Sequence, residues 1–327
     1  MLNLSFQLYS ARKFSTLKDQ LKLISDLGYT QVEGYDDVYK DVNELSSLLN
    51  EFGLSIPSGH FNFKSLEKNE NPFRIADKLG IEIIVCPYIE NDLRPIDSDG
   101  WKYLCDRLMR IKGQCERNSF IFAWHNHDFE FKNLPDGGIP MKILLDYTDI
   151  KWEIDLAWVV RGLSEPSQWI KSYSSRLCAA HLKDIAPGDE NMDEDGWADV
   201  GFGTMNWEKY YKMLRDLSVP LLIMEHDNPS DLYRFAERSI KKVKSLQLNA
   251  SVLENLLEMH YQEIRKITSL EGVLMRLVME SKISRDEFLK YYLGNEINPN
   301  FESFLKENNT WKNFFKKKRK DYLEIKE

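Results

Sequence analysis

The sequence predicts an α/β chain: a (β/α)8 TIM barrel with a C-terminal helical extension, residues 1–248 forming the barrel and 249–327 the extension. Three observations point there. Short apolar, β-branched or aromatic runs recur through the first part of the chain, each followed by a stretch with helical periodicity. Eight such units in about 250 residues is the size of a closed parallel barrel with helices outside it. The turn after the first run, Tyr9-Ser10-Ala11-Arg12-Lys13, holds no glycine, so the phosphate-cradling turn of the competing open doubly wound sheet is missing.

In order, the strand runs are Leu4–Tyr9, Gln31–Gly34, Ser55–His60, Glu82–Pro87, Phe120–His125, Lys151–Asp155, Cys178–Lys183 and Leu221–Glu225. Between the first two, Leu17, Leu21, Ile24 and Leu27 follow helical steps and stop at Gly28; Leu45, Leu48, Leu49 and Phe52 do the same and stop at Gly53. The helix ending at Leu79 is closed by Gly80. From about residue 249 the strands cease. Val252–Glu280 reads as one or two amphipathic helices, with further helical pattern at Arg285–Tyr292 and Phe301–Phe315.

Composition narrows the function classes. The 327 residues are 43% hydrophobic and 12% aromatic, as in a folded soluble protein. The formal charge is -8, and because 14 basic and 13 acidic residues fall after Ala250, the barrel carries essentially all of the negative excess. Such a field repels a polyanion, so no nucleic-acid partner is expected. The run Lys316-Lys317-Lys318-Arg319-Lys320 reads as the solvated end of a terminal helix, with cations suited to the negative end of the helix dipole, rather than as an anion-binding surface. Cys86, Cys105, Cys115 and Cys178 have no metal-ligand spacing and read as reduced thiols of a cytoplasmic protein. No export signal opens the chain and no apolar run reaches about 18 residues, so no membrane association is expected.

In such a barrel the loops after the strand C-termini build the site. The fifth run leads into Trp124-His125-Asn126-His127-Asp128-Phe129-Glu130, the sixth ends in Trp152-Glu153-Ile154-Asp155, the seventh in Ala180-His181-Leu182-Lys183-Asp184 and the eighth in Met224-Glu225-His226-Asp227. Taken singly, each His or Asp is as readily a helix N-cap or a loop hydrogen-bonding residue. Together they are not: five of the six histidines (His60, His125, His127, His181, His226) lie at or just past strand C-termini. Mixed imidazole and carboxylate groups on one rim suit one divalent cation, Mn, Mg, Co or Zn. The sixth, His260, falls in the extension and reads as structural or exposed.

The segments WHNHDFEF (Trp124–Phe131), WEIDLAWVVRG (Trp152–Gly162), AHLKD (Ala180–Asp184), DVGFGTMNW (Asp199–Trp207) and IMEHD (Ile223–Asp227) resemble the xylose isomerase-like superfamily of sugar-phosphate isomerases and epimerases. The turn Ser58-Gly59-His60-Phe61 fits as well, and the resemblance spans about residues 1–248. It implies one catalytic divalent metal held by Asp155, His181 and Glu225. Many members add a Glu at the fifth strand end; here that position is His125, so either His125 or Glu130 completes the set. His127 shares the face of His125 only if the strand continues.

Isomerising a sugar means removing a proton beside a carbonyl, and a metal stabilises the resulting enediolate. Glu225 is the first choice of base, with Glu130 or His125 as its partner. Lys183, on the face of His181, either hydrogen-bonds the developing oxyanion or forms a salt bridge to Asp184 or Glu153. His60, Glu33, His127, Tyr9 and Trp158 are candidates for sugar hydroxyls. Trp124, Trp158 and Trp197 could pack at the barrel mouth or stack on a sugar. Gly201-Phe202-Gly203 follows an acidic loop and no strand, and reads as a tight lid segment.

The expected activity is therefore a metal-dependent isomerase or epimerase on a sugar or keto-sugar. Its nearest rival is a metal-dependent dehydratase or lyase on a keto-sugar or inosose. More distant are an abasic-site endonuclease, which would need more metal ions over a basic surface, and a non-catalytic barrel acting in assembly. The expected partner is a small-molecule sugar. The C-terminal helices could pack on the barrel, pair two copies into a homo-oligomer, or recruit another protein.

Overall fold

A parallel strand buried on both faces needs apolar residues outward, against helices, and whatever the barrel axis accepts inward. In the computed structural model, which describes residues 3–68, 71–296, 298, 301 and 308–326, eight strands meet this need. They are β1 (Asn3–Gln7), β2 (Gln31–Gly34), β3 (Ser55–His60), β4 (Ile83–Cys86), β5 (Ile121–His125), β6 (Lys151–Asp155), β7 (Leu177–Leu182) and β10 (Leu221–Met224). They close in the order β1-β10-β7-β6-β5-β4-β3-β2, each pair parallel. The structure is the closed TIM barrel that strand-helix alternation predicts. Between β7 and β10 lies an antiparallel ribbon of β8 (Asp184–Ile185) and β9 (Trp197–Ala198), too short to be read from sequence.

The helices are α1 (Leu17–Asp26), α2 (Val42–Phe52), α3 (Phe63–Lys68), α4 (Asn71–Leu79), α5 (Ser98–Arg117), α6 (Pro140–Tyr147), α7 (Leu156–Arg161), α8 (Pro166–Ser172), α9 (Trp207–Asp216), α10 (Leu232–Glu280), α11 (Arg285–Tyr292) and α12 (Asn309–Lys326). Local chemistry sets their ends. Asp41 caps α2 by accepting from the Asn43 and Glu44 amides, and Gly53 ends it at φ 66°, a conformation that costs a residue with a Cβ.

The chain divides into two compact units, Met1–Leu248 and Asn249–Glu327. In the first, Phe6, Val32, Ile84, Phe122, Ile154 and Leu222 face the helices in the main core. Ile83, Val85, Ala123, Ala179, Leu221 and Ile223 form a smaller apolar cluster. Alternation places that cluster inside the barrel, and the next inward positions toward the strand C-termini are polar. The second unit has its own core around Leu274, Val278, Phe288, Trp311, Phe314 and Tyr322. Of the helical pattern expected at Phe301–Phe315, residues 302–307 lie outside the described residues. The lysine-rich run sits inside α12 rather than at its end, where Lys318 meets Asp321 (3.4 Å) and Lys320 meets Glu324 (3.7 Å). All four cysteines are buried and free. Among the described residues no helix is long and apolar enough to cross a membrane.

Candidate metal centre

The site grows from the paired ends of β5, β6, β7 and β10. His125 stands level with Glu153 across β5 and β6, and Asp155 with His181 across β6 and β7. Asn126 ties the first two ends together. Its Oδ1 accepts from the Asp155 amide (3.0 Å) and the Trp152 indole (2.9 Å), while its Nδ2 donates to the Asp155 carbonyl (3.1 Å). Glu225 follows β10, its amide donating to Leu182 O (3.1 Å). One ligand atom from each of His125, Asp155, His181 and Glu225 lies within 4.8 Å of the others, and all four residues are buried.

Beneath them is a layer of the same inward face. Glu33 Oε1 accepts from Gln7 Nε2 (2.7 Å) and contacts His181 Nε2 (2.7 Å) and His60 Nε2 (3.2 Å). Glu153 Oε1 contacts His60 Nε2 (2.8 Å), His181 Nε2 (3.1 Å) and His125 Nδ1 (3.2 Å). Burial opposes a charge on His60, but the Glu33 and Glu153 carboxylates outweigh it and lift its pKa to about 10. Burial and the neighbouring His181 instead push His125 well below its ordinary value. Sequence reading missed Gln7 and Glu153 as site residues, although Glu153 lies two positions before Asp155 and so on the same face of β6.

Lys183 is fully buried and meets Asp227 Oδ1 (2.6 Å), Glu225 Oε2 (3.2 Å) and Asp155 Oδ2 (3.7 Å). These are its partners; the alternative expectation, a salt bridge to Asp184 or Glu153, is not met. Asp184 is instead turned toward the lid, accepting from the Gly201 and Met205 amides and the Trp207 indole. Burial raises Glu225, but Lys183 and His181 overcome that and hold its carboxyl well below the usual range. Burial pushes Asp155 up to about 7.

The donor set fits a divalent cation. Four carboxylates, Glu33, Glu153, Asp155 and Glu225, are buried together with Lys183, and they pull His60 and His181 toward their charged forms, so positive charge is drawn to this pocket. Asp155 Oδ1 caps α7 at the Trp158 amide (2.8 Å), while its buried Oδ2 has no hydrogen-bond partner among the described residues. Two imidazoles with two carboxylates suit zinc, manganese or cobalt better than a site of oxygens alone would.

Above the group opens a cleft of about 610 Å³, lined in part by His60, His125, His127, Trp158, Glu225 and Asp227. Tyr9 is there too, because β1 stops at Gln7 and Leu8–Ala11 turns across the rim instead of extending the strand. Glu33 is not in the lining; its carboxylate is spent in the layer below. Glu130 stands apart from the ligand group. Its oxygens accept from the Trp124 indole (3.1 Å) and the His127 amide (2.9 Å), and burial pushes its pKa up to about 8. Of the three tryptophans, Trp124 and Trp197 are packed inside and Trp158 borders the cleft. Gly201 has φ 86° and comes three residues after the end of β9, so the turn expected to be a lid does have a strand before it. A larger groove of about 730 Å³ between α4 and α5 is lined by Phe73, Arg74, Asp77, Arg117 and Phe120, far from these groups in the fold.

The profile of the Xylose isomerase-like TIM barrel family matches residues 21–246. The chain belongs to this family. Solved structures with the same fold include a sugar phosphate isomerase/epimerase from Parabacteroides distasonis ATCC 8503, at TM-score 0.60 and 20% identity over 73% of this chain and 92% of that one. The probable 3-DHS dehydratase AsbF from Bacillus anthracis, involved in petrobactin synthesis, has TM-score 0.61 and 13% identity over 74% and 99%. The IOLI protein with a binding zinc atom has TM-score 0.59 and 14% identity over 76% and 97%. At these identities the xylose isomerase-like barrel is what is shared. A second profile, the sigma-70 non-essential region, matches residues 208–327, which take in α9 and β10 of the barrel as well as the second unit.

Proposed function

We propose that this xylose isomerase-like barrel is a divalent-metal-dependent isomerase or epimerase, taking a proton from the carbon beside the carbonyl of a sugar or keto-sugar and returning it either to the neighbouring carbon or to the other face of the same one. The observation that carries this reading is the convergence of His125, Asp155, His181 and Glu225 at the C-terminal rim, with Asp155 Oδ2 buried and without a hydrogen-bond partner among the described residues. The likeness to a sugar phosphate isomerase/epimerase and to a zinc-bearing barrel supports it.

These four residues would hold the ion. Bound there, it would draw charge from a carbonyl oxygen and the adjacent hydroxyl oxygen, lowering the barrier to removing the proton on the hydroxyl-bearing carbon. Glu225 takes that proton, since it borders the cleft and is kept ionised by Lys183 and His181. Returned to the neighbouring carbon, with the hydroxyl proton passing to the former carbonyl oxygen, it completes an isomerisation; returned to the other face of the same carbon, it completes an epimerisation. Lys183, shut beneath the cleft, acts through Glu225 and Asp227 rather than on substrate oxygen. Glu130 holds the turn that presents His127, and His127, His60 and Trp158 meet the hydroxyls.

The same proton abstraction followed by loss of a β-oxygen would make the protein a dehydratase, as the likeness to AsbF allows. Incubation of metal-loaded protein with a keto-sugar panel in deuterated water separates the two. Deuterium beside the carbonyl with no loss of mass supports the isomerase, and release of water or of a glycosidic group supports the lyase. Turnover that survives chelation, or that survives Glu225→Gln, would overturn both.

A further inference from the structure

One oxygen of Glu153 touches three imidazoles. Its Oε1 lies 2.8 Å from His60 Nε2, 3.2 Å from His125 Nδ1 and 3.1 Å from His181 Nε2. Glu33 Oε1 adds a second contact to His181 Nε2, at 2.7 Å, and is itself anchored by Gln7. Every one of these side chains is buried. The two histidines of the ligand group are therefore grasped through different nitrogens, His125 through Nδ1 and His181 through Nε2.

An imidazole that donates to a carboxylate from one nitrogen keeps its proton there and offers the lone pair of the other. That leaves Nε2 of His125 and Nδ1 of His181 for the ion, and the latter already lies 2.9 Å from Glu225 Oε2. We propose that Glu153, assisted by Glu33, is the positioning residue of this centre: it fixes which nitrogen each ligand histidine presents and is not a ligand itself. The register agrees. Glu153 pairs with His125 and sits two residues before Asp155, one layer deeper along the same inward face.

The competing arrangement is geometrically open. His60, His125, Glu153 and His181 also bring ligand atoms within 4.8 Å of one another, and Glu153 Oε2 has no partner among the described residues. An ion seated there would take Glu153 as a ligand and would use the opposite nitrogens, His125 Nδ1 and His181 Nε2. The two arrangements thus differ in an observable that does not involve turnover.

The inference rests on the metal reading above, and the test separates the two. Full-length protein labelled with ¹⁵N at histidine is titrated with zinc alone, and the ring nitrogens are followed by NMR. The expected result is zinc at His125 Nε2 and His181 Nδ1, with protons retained on His125 Nδ1 and His181 Nε2. Zinc on the reverse pair overturns the inference and leaves the metal reading standing. No zinc-dependent change at either histidine refutes the metal reading itself. Glu153→Met should lower zinc affinity by about 10- to 100-fold and scramble the tautomers, as removal of a partner behind a metal ligand does. Glu153→Gln, which keeps an acceptor at Oε1, should recover most of both. Parent-like affinity and tautomers in Glu153→Met would count against the inference, as would complete loss of zinc with the tautomers unchanged.

Discussion

Asp184→Asn is a one-atom change that should loosen the turn from Gly201 to Met205. The Asp184 carboxylate is fully buried and accepts from four donors. The Ile185 amide (2.9 Å) and Met205 amide (3.0 Å) reach Oδ1; the Gly201 amide (2.8 Å) and Trp207 indole (3.0 Å) reach Oδ2. Whichever way an asparagine is turned, its NH2 faces two of these N–H groups. At roughly 1.5 to 3 kcal/mol for each hydrogen bond to a charged group, the loss is at least about 3 kcal/mol. For a unit of this size that lowers Tm by roughly 6 to 12 °C. Gly203→Ala should act on the same contact from the other side, because a methyl there overlaps the Asp184 carboxylate and the Ile185 carbonyl. Calorimetry of both variants is the assay. An Asp184→Asn transition within 2 °C of the parent would mean that these four bonds do not hold the lid segment, and the reasoning would fail.

Glu130 predicts a pH dependence. Its folded pKa of about 8 exceeds its ordinary 4.5, so the folded chain holds a proton that the unfolded chain has lost. Its contribution to stability therefore falls as pH rises from about 4.5 to 8 and levels off above that, by at most about 1.4 kcal/mol per unit. Urea midpoints at pH 5, 6.5 and 8.5 should show Glu130→Gln gaining on the parent as pH rises; a constant gap contradicts this. Asp155→Asn should keep the cap on α7, since Asn caps as well as Asp, and so change Tm by only a few degrees while abolishing zinc binding by calorimetric titration. Trp311, wholly buried in the second core, should cost about 3 to 5 kcal/mol when cut to Ala. The melt should show that loss while the barrel transition stays in place; a barrel transition that moves with it is the contrary result.

The barrel was legible because two simple signals coincide: short apolar, β-branched or aromatic runs mark the strands, and Gly28, Gly53 and Gly80, all at positive φ, close the helices between them. What failed was local. β1 ends two residues early because Gln7 accepts from the Tyr9 amide and starts a tight turn. β8 and β9 are two residues each, shorter than any period can register. At the site, residues past a strand end stood out, whereas those inside a strand did not: Gln7 and Glu153 look like ordinary strand residues until closure turns their face onto the axis. The choice between His125 and Glu130 was beyond spacing, because Phe129–Phe131 coils back and spends the Glu130 carboxylate on Trp124 and His127. The extension's helices are plain in sequence, but helices alone carry no chemistry to read.

Asp155 shows why the helix-cap and metal-ligand readings of a strand-end carboxylate are not alternatives. A cap uses one oxygen, and here Oδ1 accepts the Trp158 amide as α7 begins directly after β6. The cap locks the side chain's direction, and that direction is what leaves Oδ2 pointing into a buried pocket with no partner. Leaving a carboxylate oxygen so placed is costly unless something positive arrives, and Lys183, at 3.7 Å and already paired more closely to Asp227 and Glu225, is too committed to serve. On the metal reading proposed above, the local rule that starts a helix would also create the demand for a cation. Because β6 stands between β5 and β7, that demand would fall between the imidazoles of His125 and His181.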